Sequence, residues 1–207
     1  MYPSQHYQSQ DQSLLLHIIE QSPLATLLFN QAGEQWPHIS HIPFIFDQGM
    51  LIGHISRLHP LANQLTQGDV ELKLIFNGPD GYISPLYSPD AQTVPTWNYA
   101  KVVVTGQASI VSDKNEQGAL MAQISHHFEQ QLHYQFSAEP WSIDTLPAKH
   151  LDAMINAISI FKVAICRTEG KIKLSQNKPP LAIKAMTKHL KAHQQPDLAA
   201  LMNRAQS

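Results

Sequence analysis

The stretch Val94–Val111, VPTWNYAKVVVTGQASIV, decides how the chain is read. From Tyr99 to Val111 apolar side chains alternate with polar ones at period two, the pattern of a long, half-buried β-strand. Pro95 stiffens the approach to it. Trp97, flanked by Asn98 and Tyr99, therefore stands where a loop becomes a strand. Two roles suit a tryptophan there, and both stay open. It can form the wall of a planar-ligand site, or it can anchor a subunit interface, where Trp is enriched.

Upstream, Leu14, Leu15, Ile18 and Ile19 recur at helical spacing behind a potential Asp11 cap, and Pro23 ends that helix. Leu24 to Phe46 reads as a hairpin turning at Gln31-Ala32-Gly33, Met50 to Leu58 as a third strand, and His59 to Asp69 as a short helix closed by Gly68. Val70 to Phe76 alternates as a fourth strand, and Gly78-Pro79-Asp80-Gly81 predicts a turn into another short one. Downstream the period changes. Leu120, Ile124 and Phe128 predict a long helix whose start carries an Asp113/Glu116 pair compatible with a capping box. A second helix lies in Leu146–Ala157, a strand pair or one bent strand in Ile158–Ser175, and terminal helices split by Pro196 follow. Strands first and helices afterwards predict an α+β fold, a small antiparallel barrel with flanking and C-terminal helices. One domain of 207 residues results: barrel strands over 1–112, a helical cover over 113–157, closing strands over 158–178 and helices over 179–207.

Charged residues make up only 14% of the chain and the formal net charge is -2, so the composition lacks the basic footprint of a nucleic-acid-binding protein. The first twelve residues have no signal-peptide pattern and no apolar run is long enough to span a bilayer. A soluble, cytoplasmic protein is expected. Cys166, the single cysteine, sits in FKVAICR and reads as a buried, inert thiol. Nucleophile-elbow, P-loop, dinucleotide and paired-cysteine motifs are missing. Of the twelve histidines, His38 and His41 are three apart, which on a strand puts them on opposite faces and disfavours a shared metal ion.

Two segments could bind a ligand. In GHISRLHP, Gly53–Pro60, a strand end delivers His54 and Ser56 on one face and Arg57 at the turn before a helix that Pro60 can begin. A hydroxyl, a guanidinium and helix-terminal amides there would suit a phosphate, although an Arg57 paired with a surface carboxylate would read the same way. In EGKIKLSQNK, Glu169–Lys178, Lys171 and Lys173 share one face opposite Ile172 and Leu174, although a solvated strand end followed by a turn would look the same.

Taken in order, MYPSQHY, HIPFIFD, GHISRLHP, the segment from Phe76 to Tyr87, VPTWNYAKVVVTG and EGKIKLSQNK resemble the PaiB-type proteins, described as negative transcriptional regulators. That family is similar to the flavin-binding split barrels related to pyridoxamine-phosphate oxidases. The resemblance implies a six-stranded antiparallel split β-barrel and a homodimer with FMN in clefts between subunits. It also implies that His54, Ser56 and Arg57 hold the FMN phosphate, that Trp97 and Asn98 come from a loop facing the ring, that Lys173, Gln176 and Asn177 line the same cleft, and that His41 passes the ring edge. The family pattern G-H-x-A-R-A-N-P is here GHISRLHP, with Ser56 for Ala and Leu58-His59 for Ala-Asn, and Ile172 stands for the tryptophan of K-W-K-L-S-Q-N. By this resemblance the chain is an FMN-dependent oxidoreductase or flavin-linked regulator. A non-catalytic regulatory module and, from haem-degrading relatives of the fold, a haem protein are the alternatives.

Overall fold

The computed structural model describes residues 5–88, 94–136 and 139–205; the opening of MYPSQHY and the middle of the proline-spaced loop before Val94 lie outside them. Eight strands form one sheet: β1 (Gln8–Ser9), β2 (Leu24–Phe29), β3 (His38–Pro43), β4 (Ile45–Asp47), β5 (Met50–Ser56), β6 (Val70–Ile83), β7 (Thr96–Ile110) and β8 (Ile158–Lys173). Their order is β3-β2-β6-β7-β8-β5-β4, with β1 on β8. The helices are α1 (Gln12–Gln21), α2 (Pro60–Leu65), α3 (Lys114–Phe136), α4 (Ala148–Asn156), α5 (Pro180–Ala192) and α6 (Pro196–Arg204). None of the helices among the described residues is long and apolar enough to cross a membrane.

The chain forms two compact units. The first comprises residues 1–22, 75–103 and 168–207, and the second 23–74 and 104–167. In the first, Asp11 caps α1 by accepting from the Ser13 and Leu14 amides at 3.0 and 3.1 Å. Those bonds, chiefly that from Leu14, hold its carboxyl below the usual range. The expected apolar stripe is buried, with Leu15 against Gly170 and Ile18 against Gly78. In the second unit the predicted hairpin pairs Leu24 with Pro43 through Phe29 with His38. β5 pairs antiparallel with β8, His54 opposite Ile160 and Ser56 opposite Ile158. Ile45, Ile52, Val111, Leu120, Ile124 and Ile160 close one core cluster beneath α3, with Phe128 packed against it.

Four expectations change. Gly78 to Gly81 makes no turn, because β6 runs straight through it. Burial falls on even positions to Gly78 and on odd ones from Gly81, a one-residue slip of the kind a β-bulge produces and one that accommodates Pro79. The glycines are there for close approach: a Cβ on Gly78 would stand 2.8 Å from Ile18, and one on Gly81 2.8 Å from Leu198. The long strand starts at Thr96, so Trp97 and Asn98 belong to β7 rather than to a loop. Cys166 is exposed, since the alternation of β8 from Phe161 onward turns Ala164 and Cys166 outward. Finally, only half of the capping box forms. The Glu116 amide donates to Asp113 at 2.8 Å, but the Glu116 carboxylate is drawn to Lys162 at 2.5 Å.

At Gly106 a Cβ would meet Val163 Cγ1 at 2.5 Å and the Ala164 carbonyl oxygen at 2.6 Å, and backbone cannot step aside. Gly106→Ala is expected to lower stability by about 1–3 kcal/mol in thermal unfolding. Gly118→Ala, in open space on α3, is expected to raise it by roughly 0.5–1 kcal/mol through helix propensity alone.

Candidate functional site

The end of β5 and the start of α2 build one polar corner of the second unit. Ser56 sits at the strand terminus, its hydroxyl oxygen accepting from the Leu58 amide at 3.2 Å, while its carbonyl accepts from the His59 amide at 2.9 Å. The Arg57 amide donates to Ala157 O at 2.9 Å, and one guanidinium nitrogen donates to Ile158 O at 3.3 Å. His59 is the N-cap of α2: its Nδ1 accepts from the Leu61 amide at 3.2 Å, and its carbonyl accepts from Ala62 at 2.9 Å. Backbone amides were expected to serve a phosphate here. Instead those of Arg57, Leu58, His59, Leu61 and Ala62 all have partners within the chain, so side chains are left to hold an anion.

Those side chains line a cavity of about 480 Å³: Arg57 and Lys114 as cations, with Asn63, Ser112, Asn156 and Ser159 as polar neighbours. No carboxylate lines it among the described residues. Four of the five guanidinium N–H donors stay outside the bond to Ile158, and the Ser56 hydroxyl keeps its own hydrogen to give. Two positive charges over one cavity favour an anion with several acceptor oxygens. The sequence reading missed Lys114. Its only signal was its place at the first helical position after Asp113, with no spacing to link it to Arg57.

His54, on the same face of β5 as Ser56, is half-buried, and its Nδ1 has no hydrogen-bond partner. Burial pushes its imidazole below the ordinary value, which favours the neutral ring, and the residue does not line the cavity. His59 and Ser40 are also close, with Oγ to Nε2 at 2.7 Å. Such a contact can mark a nucleophile and its base, but the proton is on the wrong nitrogen. A backbone N–H only donates, so Nδ1 carries no hydrogen, and the neutral ring gives its Nε2–H to Ser40. His41 is exposed on β3, and His38 stacks on Phe29 at 4.9 Å.

The remaining predicted residues belong to the first unit. Trp97 is 55% exposed and meets Tyr82 edge to face at 6.3 Å, whereas Asn98, one position on, is fully buried. Asn98 accepts from the Ser175 hydroxyl at 3.1 Å and donates to Met202 Sδ at 3.4 Å. Ser175 is left-handed, with φ 59°, and Gln176 closes the turn around it, accepting from the Leu174 amide at 2.8 Å and donating to Ile172 O at 2.7 Å. The Asn98 amide is thus engaged in joining the end of β8 to β7, and the Gln176 amide in closing the turn at the end of β8 and reaching the His6 carbonyl at 3.4 Å. Lys173 donates to Thr96 Oγ1 at 2.5 Å and lies 6.0 Å from the Tyr7 ring, while Asn177 is exposed.

An α+β chain with this sheet, its strand termini carrying a cationic cavity, is of the split-barrel class. It belongs to the PaiB-type FMN-binding family, since the family model described as "Putative FMN-binding domain" matches residues 1–167. Among curated relatives it is 28% identical to the uncharacterized protein AN0679 of Emericella nidulans, over 79% of this chain and 80% of that one. It is 24% identical to the protease synthase and sporulation protein PAI 2 of Bacillus subtilis, over 86% and 83%. Among solved structures it is similar to the flavocytochrome Anf3 of Azotobacter vinelandii, with a TM-score of 0.59, 17% identity, and coverage of 84% of this chain and 72% of that one.

Asn98→Ala strands the Ser175 hydroxyl in a buried position and is expected to cost about 1–3 kcal/mol in denaturant unfolding. Trp97→Ala, at an exposed position, is expected to stay within about 0.5 kcal/mol of the parent.

Proposed function

We propose that this chain is an FMN-binding homodimer, acting as a flavin-dependent oxidoreductase or a flavin-linked regulator, with the flavin phosphate held at the Arg57–Lys114 cavity. The observation that carries this reading is the pairing of those two cations over a cavity with no carboxylate in its described lining. A phosphate dianion suits Arg57 as a forked donor and Lys114 as a point charge, while Ser56, next to Arg57 but outside the cavity's lining, is assigned to the phosphate by the family resemblance. His54, whose Nδ1 is buried and which does not line the cavity, is assigned to the same phosphate by the family resemblance alone. Bound FMN would supply hydride and single-electron chemistry; the chain's task is to orient it and exclude water. The same reading assigns His41 of the second unit, and Trp97, Asn98, Lys173, Gln176 and Asn177 of the first, to flavin. Trp97 would be the exposed aromatic wall, with Asn98 and Gln176 holding the strand ends that carry their neighbours. The exposed thiol of Cys166 suits a reducing cytoplasm. A second reading, a regulatory module with weak or no flavin binding, draws on the name of the Bacillus subtilis relative.

Titration of the dialysed protein with FMN, followed by flavin fluorescence, tests the assignment. Micromolar or tighter binding is expected, weakened about tenfold or more in Arg57→Ala and about three- to tenfold in Lys114→Gln, with light scattering reporting dimers for all three proteins. Absence of binding by an intact wild-type dimer, or equal affinity in Arg57→Ala, would sink the phosphate assignment.

A further inference from the structure

The turn that carries Arg57 leads directly into a helix capped by a histidine in one protonation state. His59 occupies the N-cap of α2, where an oxygen side chain usually sits, and does the same work with Nδ1. α2 is also a wall of the Arg57 cavity, through Ala62, Asn63 and Thr66. Between that wall and Arg57 lies only the turn in which Ser56 accepts from Leu58 and His59. The ring is locked from its other side by Ser40, and Phe29 packs beside it at 5.9 Å. Of the groups that bear on it from neighbouring elements, His38 of β3 is titratable, and Ser40 and Phe29 are neutral; Arg57 and Lys114 are the charges of the cavity.

We propose that His59 is a positioning residue for the anion site. As the neutral Nε2–H tautomer it caps α2 and sets the turn bearing Arg57, so that protonation of the ring uncaps the helix and loosens anion binding. The proposal rests on the phosphate reading of the Arg57–Lys114 cavity. Its chemistry is local. A protonated ring carries a hydrogen on Nδ1, which then faces the Leu61 N–H donor to donor, and the cap cannot form.

Burial, and secondarily the neighbouring His38, lowers the affinity of His59 for a proton below the ordinary value of 6.5. A histidine depressed in the folded state contributes fully to the native structure above about 6.5. The contribution declines as pH falls, and is lost through the lowered folded value. The sensitive window is therefore acidic.

The test compares the full-length wild type with His59→Asn and His59→Ala. Asn restores an oxygen cap that does not titrate, and Ala removes the cap. FMN affinity is measured at pH 7.5 and 5.5. The ligand phosphate titrates in the same range, so the quantity read is the ratio of wild-type to His59→Asn affinity at each pH. That ratio is expected to fall about twofold or more on acidification, with His59→Ala weaker than His59→Asn at both pH values. Parallel pH profiles for wild type and His59→Asn overturn the proposal. Hydrogen exchange at the Leu61 amide, corrected for intrinsic rates, needs no flavin. Its protection is expected to drop between pH 7.5 and 5.5 in the wild type and to hold in His59→Asn, and unchanged wild-type protection also overturns the proposal. If protection follows pH but the wild type binds no FMN, the phosphate reading fails, and the link from cap to anion binding fails with it.

Discussion

A strand sends successive side chains to opposite faces, and along β7 that rule holds from Asn98 to Ala108, where each even position is buried. The rest of the first unit's binding chemistry follows from this. It puts the Trp97 ring outward and the Asn98 amide inward one residue later, whatever either side chain would do in a loop. A buried amide must find partners, and Asn98 finds them in Ser175 and Met202, so the turn at the end of β8 and the last helix are tied to one strand. β6 keeps the same rule until Pro79 and Asp80, where one extra residue shifts burial from even to odd positions. Lys101 holds that slip, reaching Asp80 at 2.7 Å and the Gly78 carbonyl at 3.5 Å.

In the second unit the decisive fact is a shortage of free backbone donors. A strand-to-helix junction offers amides to an anion only if the chain has not used them, and from Arg57 to Ala62 it has. The Ser56 side chain and carbonyl, the Ala157 carbonyl, and the His59 ring and carbonyl take all five. Anion affinity then falls to long side chains, and its strength depends on charge rather than on preformed dipoles. Arg57 and Lys114 come from different elements, so their convergence depends on α3 starting where β7 ends.

Local periodicity made much of this legible in advance. The stripe Leu14, Leu15, Ile18, Ile19, the hairpin around Gly33, the β5-to-α2 junction and the α3 face at Leu120, Ile124 and Phe128 each repeat a short-range pattern with a single solution. What was not legible depended on contacts distant in sequence. GPDG carries every local sign of a turn, yet Gly78 and Gly81 are glycines because α1 and α6 come close. Glu116 had a local partner available and took Lys162, 46 residues away. The apolar neighbours of Cys166 suggested a core strand, but β8 alternates from Phe161 to Cys166 and leaves the thiol on the outward side. Of the residues that line the cavity, Arg57 lies in the segment that the strand-end pattern singled out, whereas Lys114 and the Ser40–His59 contact became visible only once the chain had folded.

Among the described histidines of a chain with few charges, two physical roles can be told apart. His38 lies on Phe29 at 4.9 Å and 13°, and His189 on Tyr87 at 5.0 Å and 11°, with His193 beyond it at 6.1 Å. In such stacks the imidazole acts as a flat polar surface laid on an aromatic face. His54 and His59 are different, because burial penalises their charged forms and nothing acidic compensates. Nδ1 of His59 is already an acceptor, and that of His54 is orphaned, so each ring has one nitrogen whose role depends on whether a proton is there. Both stand within three residues of Arg57. A neutral corner of this kind keeps the cationic charge of the cavity on Arg57 and Lys114 alone, and it places the two groups most sensitive to protonation beside the one that recognises charge.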